Sequence, residues 1–260
     1  MASTSATRPG GADTGSFESD LGKLLRDLSE ASADQGNGVA LLIDEAQDLP
    51  QEELIALCTI VHVANQRQDR LVIALAGLPS LPLKLAEAKS YAERLFTCHE
   101  IGALQPEDAQ AALVDPALDE NVIWSQDALD IVLKQAAGYP YFLQQYGQDT
   151  WNAAGASPID RHAAELGVAN GRTGLDTGFF RIRWDRATAT EKSYLKAMAE
   201  DGDTGSLTST ISERLNKRPQ SLGPARASLI GKGLIYSPEH GVVAYTVPAM
   251  AAFVQRQNHE

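Results

Sequence analysis

Apolar residues fall first at helical spacing. Phe17, Leu21, Leu24, Leu25 and Leu28 place an amphipathic helix over 17–31, with a stripe suited to packing on a sheet. Gly36-Asn37-Gly38 interrupts it, and Val39 to Ile43 is an unbroken aliphatic run, which predicts a short strand buried on both faces. Pro50 suits the first turn of a following helix, where a missing N–H is not needed, and Leu54, Leu57, Cys58, Val61 and Ala64 mark its inner face. Leu71 to Ala76 is a second buried strand, stopped by Gly77-Leu78-Pro79. Helical pattern resumes over 81–94, and Leu95 to Ile101 predicts a third strand. Strands alternating with helices spell a parallel α/β sheet.

Beyond Pro106 the pattern is helical: 106–114, 125–137 with Ser125 as N-cap, 140–154, and a short helix over 160–168. Residues 171–178 are glycine-rich and predict a linker. From Phe179 the order changes again. Thr190 is expected to cap a helix containing Tyr194, Leu195, Ala197 and Met198; helices over 207–215 and 221–232 follow. Leu234 to Tyr236 and Val242 to Val247 then read as a hairpin. Three helices followed by a hairpin predict a winged helix-turn-helix. The expected organisation is a disordered leader (1–16), a partial α/β core (17–104), a helical lid (105–170), a linker (171–178) and a winged helix (179–256).

Charge sharpens this division. The net charge of -12 is uneven: residues 1–180 carry 11 Lys and Arg against 26 Asp and Glu, whereas residues 181–260 carry 11 against 8. The acidic part argues against general coating of nucleic acid, and the last 80 residues remain able to contact it. Cys58 and Cys98 form no spaced pair, which fits a reducing cytoplasm. Cys58 and His62 have a metal-capable spacing but read as a core thiol and a surface imidazole. No apolar run approaches a membrane span, and the first 16 residues lack a signal-peptide core. Gly-x-Ser-x-Gly, HExxH and CxxC are all absent.

The chemistry concentrates at the end of the first strand. Asp44 and Glu45 stand at its carboxyl end, where open α/β sheets place ligands. Such a pair is what a Walker B segment looks like: Asp44 would hold Mg²⁺ through water, and Glu45 would orient and deprotonate an attacking water. An acidic start to a helix is the alternative.

The segments LLIDEAQ, AGLPSL, AKSYAERLF and GYPYFLQQYG, in that order, resemble the core and lid of AAA+ ATPases, in particular the origin-recognition-like and STAND-type branches. The tail, from RATATEKSYLKAMAEDG through SLGPARASLIGKGLIYSPEHGVVAYTVP, resembles the winged helix that follows such cores in bacterial ATP-binding proteins. The resemblance spans about residues 17–256. It implies ATP and Mg²⁺ as cofactors, and nucleotide hydrolysis coupled to a partner, either duplex DNA or a protein. It assigns Asp44 and Glu45 as Walker B carboxylates and Ser80 as the one side chain able to sense a γ-phosphate at the second strand's tip. Arg94 is placed as a phosphate-reaching arginine, acting across a subunit interface in an assembly; a salt bridge to Glu87, Glu93 or Glu100 is its alternative. Tyr139 and Pro140 match the lid motif over the adenine.

One part of that pattern is missing. No G-x-x-x-x-G-K-[ST] occurs in the 260 residues, and the Gly-Lys pairs at 22–23 and 231–232 sit in no such loop. The resemblance therefore implies an incomplete sheet lacking a central strand, an amino-terminally truncated ATPase or one completed by a partner chain, and no measurable hydrolysis by this chain. A non-enzymatic DNA-binding or adaptor protein is the competing reading.

The carboxyl-terminal part carries its own signal. From Arg214 to Pro238 there are five basic residues, Arg214 included, and no acidic one. Lys217, Arg218, Gln220, Ser221, Arg226 and Lys232 are candidates for DNA contact at and beyond the start of a recognition helix. Phe179 to Trp184 alternates apolar residues with arginines, as a base-stacking platform would, or as a junction whose aromatics pack lid against winged helix.

Overall fold

The computed structural model describes residues 14–257, in two compact units that divide between Glu100 and Ile101. Most of the expected leader lies outside the described residues. Ser16, at its end, caps the first helix by accepting the Ser19 N–H at 3.4 Å.

The first unit runs α1 (Phe17–Ala33), β1 (Val39–Ile43), α2 (Gln51–Arg67), β2 (Leu71–Leu75) and α3 (Leu81–Ala88). β1 and β2 pair in parallel, from Val39 opposite Leu71 to Ile43 opposite Leu75. α2 buries the expected Leu54, Leu57, Cys58, Val61 and Ala64, and Pro50 stands just ahead of its first turn. A small core of Ala46, Leu54, Cys58, Leu81, Leu85 and Ala92 holds the carboxyl ends of the strands to α2 and α3. Cys58 is buried and His62 exposed, as their separate readings require.

Three expectations fail here, two of them for want of a neighbouring element. Both strands alternate between half-buried and exposed positions instead of being buried on two faces. Leu42 is 75% exposed and Val72 63%, because no described element covers that face. The third strand over 95–101 does not form; this stretch is irregular apart from the end of a 3₁₀ turn at Ala92–Arg94. A strand needs a partner for its N–H and C=O groups, and the two-stranded sheet contains only β1 and β2. The expected helix over 81–94 ends at Ala88, where Lys89 turns extended.

The second unit opens with α4 (Pro106–Asp119), α5 (Gln126–Ala136), α6 (Pro140–Ala153) and α7 (Arg161–Gly174). Ser125 caps α5 as expected, accepting the Ala128 N–H at 3.3 Å. The expected linker over 171–178 is helical: α7 passes into a π-helical turn at Leu175–Phe180 and then α8 (Arg181–Asp185). Two glycines of α7 serve packing. A Cβ at Gly167 would collide with the Thr150 backbone, and one at Gly171 would come within 2.7 Å of the Tyr146 ring, so α7 lies directly on α6.

The chain then forms α9 (Ala189–Ala199), β3 (Ser206–Leu207), α10 (Thr208–Arg214), α11 (Pro219–Gly231), β4 (Ile235–Tyr236), β5 (Val242–Tyr245) and α12 (Met250–Arg256). β5 is the middle strand of a three-stranded antiparallel sheet, between β3 and β4. Thr188, not Thr190, caps α9: Glu191 lies three residues on and closes a capping box with it. One buried cluster runs from Ala109 to Val254, so α4–α7 and the terminal elements share a core. The aromatics between them make that continuity. Phe142 meets Phe179 and Phe180 edge-on, and Phe180 stacks on Phe253 at 5.3 Å. Among the described residues no helix is long and apolar enough to cross a membrane.

Candidate nucleotide and nucleic-acid sites

The end of β1 is laced to the end of β2. Ala76 N–H donates to Ile43 C=O at 2.8 Å, and Ala46 N–H donates back to Ala76 C=O at 2.9 Å. Between those bonds the chain must turn sharply, and Glu45 adopts a left-handed conformation with φ 50°. Its N–H is taken by Asp44 Oδ1 at 2.8 Å. Both carboxylates are thereby exposed at the strand's carboxyl end.

Gln47 organises this corner. It is 5% exposed. Its Nε2 donates to Glu45 Oε2 at 2.7 Å, and its Oε1 accepts the Leu78 N–H at 3.0 Å. Its carbonyl accepts Lys84 Nζ from α3 at 2.6 Å. A Cβ on Gly77 would overlap Gln47 Oε1, so glycine there leaves room for the amide. Sequence reading named Asp44 and Glu45 but passed over Gln47 and Lys84. The available signal was an amide two residues past Glu45, facing a glycine at the tip of the neighbouring strand.

The remaining predicted nucleotide residues are placed as follows. Ser80 stands at the N-cap position of α3 but makes no side-chain capping bond. Arg94 is exposed and forms no ion pair with a described residue, so the salt-bridge alternative is not realised. Tyr139 and Pro140 belong to the second unit, at the start of α6. The Tyr139 ring is half-buried and packs edge-on against Phe142 at 4.8 Å.

The residues at β1 suit a hard cation better than a nucleotide. Mg²⁺ takes one or two carboxylates and fills its other positions with water and phosphate oxygens. Asp44 keeps Oδ2 and Glu45 keeps Oε1 outside the hydrogen bonds above. Among the described residues no group of three or more His, Cys, Asp or Glu could hold a metal unaided. The sequence supplies no loop to cradle a triphosphate, so these residues fit Mg²⁺ and not, by themselves, the nucleotide.

The six basic or polar candidates near α11 separate into two groups. Lys217, Arg218, Gln220 and Ser221 are exposed together at the start of the helix. Arg226 and Lys232 instead make contacts within the fold. Arg226 donates to Ser237 Oγ at 3.0 Å and ties α11 to the β4–β5 turn. Lys232 Nζ pairs with the buried Glu191 at 2.6 Å and donates to the Arg186 carbonyl at 2.9 Å. Burial would raise the Glu191 pKa, but hydrogen bonds from Lys232, Ser228 and Thr188 outweigh it and lower it to about 2. Arg214 is likewise consumed, with two bonds to Asp201.

Residues 177–254 match a family described as a domain of unknown function, DUF8462. No curated protein sequence matches the chain. Among solved structures, the chain is similar to the Walker-type ATPase PABY2304 of Pyrococcus abyssi, with a TM-score of 0.61 at 17% identity over 90% of this chain and 68% of that one. That likeness shows the fold: the chain has the fold of a Walker-type ATPase. Looser superpositions are those on a Thermotoga maritima RuvB variant (TM-score 0.42, 13% identity, 93% of this chain and 99% of that one) and on Cdc6p from Pyrobaculum aerophilum (TM-score 0.41, 13% identity, 96% and 72%).

Proposed function

We propose that this chain is a DNA-binding protein of the AAA+/STAND type whose 260 residues hold only part of a nucleotide site. The terminal helices and three-stranded sheet act as a winged helix, and α11 presents Lys217, Arg218, Gln220 and Ser221 to duplex DNA. Asp44 and Glu45 supply the Mg²⁺-holding and water-orienting carboxylates for ATP, whose phosphates are held by groups outside these residues. The observation that carries this reading is the contrast between the two groups of candidates. The α11 start keeps its cations exposed, whereas of the two carboxylates after β1 only Glu45 is held by Gln47, without a phosphate loop in the sequence.

Duplex binding and ATP turnover measured on one sample test it. The expected result is salt-dependent duplex binding and no Mg²⁺-dependent hydrolysis. Absence of duplex binding at low salt would remove the DNA assignment.

A second reading, an autonomous ATPase, is favoured by the Glu45–Gln47–Leu78 connection, which links the water-orienting carboxylate to the loop where Ser80 would sense phosphate. Turnover lost in Glu45→Gln would establish it over the first.

A further inference from the structure

The alternating aromatic and basic stretch after the π-helical turn has a use beyond the core junction. Arg183 lies over the Phe179 ring, its guanidinium carbon 3.6 Å from the centroid. Tyr141 stacks on the same ring at 4.9 Å with an interplanar angle of 24°. Two planar groups at stacking height cannot share one face of a phenyl ring, so Arg183 and Tyr141 take opposite faces. The result is a column, Arg183–Phe179–Tyr141, built within the second unit. Its Tyr141 end is 49% exposed.

The column is also short of negative charge. Burial lowers the Arg183 pKa, and Arg186 lowers it further; the groups that raise it are Tyr139 and Tyr141, not a carboxylate. Its guanidinium donates to the Phe179 carbonyl at 3.1 Å, which is not an anion. Arg186, exposed one helical turn on, has no ion pair with a described residue. A partly buried guanidinium beside a second cation, without a carboxylate, is costly unless an anion neutralises it.

We propose that the exposed face of Tyr141, at the end of the Arg183–Phe179–Tyr141 column, stacks an unpaired base of single-stranded DNA, and that Arg183 at the other end of the column, with Arg186 beside it, meets phosphates further along the same strand. Stacking requires a base with an open π-face, which a paired duplex base does not offer, and the flanking cations match a polyanion better than a neutral aromatic ligand. The surface is separate from the start of α11 and does not depend on the duplex assignment.

Fluorescence anisotropy of a labelled oligothymidylate with the full chain tests this, with a duplex of the same length as comparison. Tyr141→Ala is expected to weaken single-strand binding about ten-fold and Tyr141→Phe to retain it, because stacking needs the ring and not the hydroxyl. Arg186→Gln should lower the magnitude of the salt slope by about 0.7. An unchanged melting temperature shows that all three variants fold, and any duplex binding should be the same for all three. Single-strand affinity unchanged in Tyr141→Ala overturns the proposal. So does absence of oligothymidylate binding at low salt, including the case in which only free ATP binds.

Discussion

Gln47 donates to the Glu45 carboxylate at 2.7 Å while it is itself fixed by the Leu78 N–H. The residue that would act on water at the end of β1 is therefore not a free acid on a turn. Its position is set through one amide by the tip of β2. Replacing Gln47 with Ala leaves the partly buried Leu78 N–H without its partner. This should cost about 1–3 kcal/mol in urea unfolding. Gly77→Ala, which overlaps the same amide, should be destabilising in the same assay. Wild-type stability in both variants would contradict the connection.

Glu191 and Lys232 set an acid limit on the second unit. Folding lowers Glu191 from its ordinary 4.5 to about 2. A lowered carboxylate pKa gives stability that is fully present above about pH 4.5 and is lost as pH falls toward about 2. Glu191 is 3% exposed, and the contribution is on the order of 3 kcal/mol. Lys232→Met should lower the melting temperature at neutral pH and flatten the acid dependence in this window. An unchanged acid profile in that variant would show that the pair does not control it.

The glycines of α7 give a prediction of opposite signs. Alanine normally stabilises a helix interior relative to glycine by about 0.5–1 kcal/mol. At Gly174 an added Cβ would meet only Gln145 Nε2 at 3.8 Å, so Gly174→Ala should raise the melting temperature. At Gly167 the Cβ meets the Thr150 backbone, and Gly167→Ala should instead cost about 1–3 kcal/mol by forcing α7 off α6. Thermal unfolding of the two variants side by side checks both signs.

These glycines also mark where the sequence misled. Gly171, Gly174 and Gly178 suggested a linker because glycine breaks helices locally, yet the stretch is helical; Gly171 makes the close approach that helix pairing needs, whereas Gly174 and Gly178 have room for a Cβ. A single sequence does not display the facing Thr150 and Tyr146. The strands of the first unit were legible, since Val39–Ile43 and Leu71–Leu75 are short aliphatic runs ended by turns. Their exposed faces were not, because burial depends on which elements lie opposite. Residues 95–101 had the composition of a strand but lack a partner to pair with. The same limit governed the basic candidates. Lys217 and Lys232 look alike in sequence, and only the fold places the buried Glu191 against the second. By contrast, of the two readings of Phe179 to Trp184, the junction is realised as packing: Phe180 meets Phe142 and Trp184 meets Phe253.

The assignment of duplex contact to the start of α11 is tested most directly by salt-dependent anisotropy of a labelled duplex, comparing the intact chain with a Lys217→Gln, Arg218→Gln double variant. The account predicts weaker binding in the variant and a salt slope smaller by about 0.9 per removed cation, at unchanged melting temperature because both side chains are exposed. Identical affinity and slope for the two proteins would contradict it.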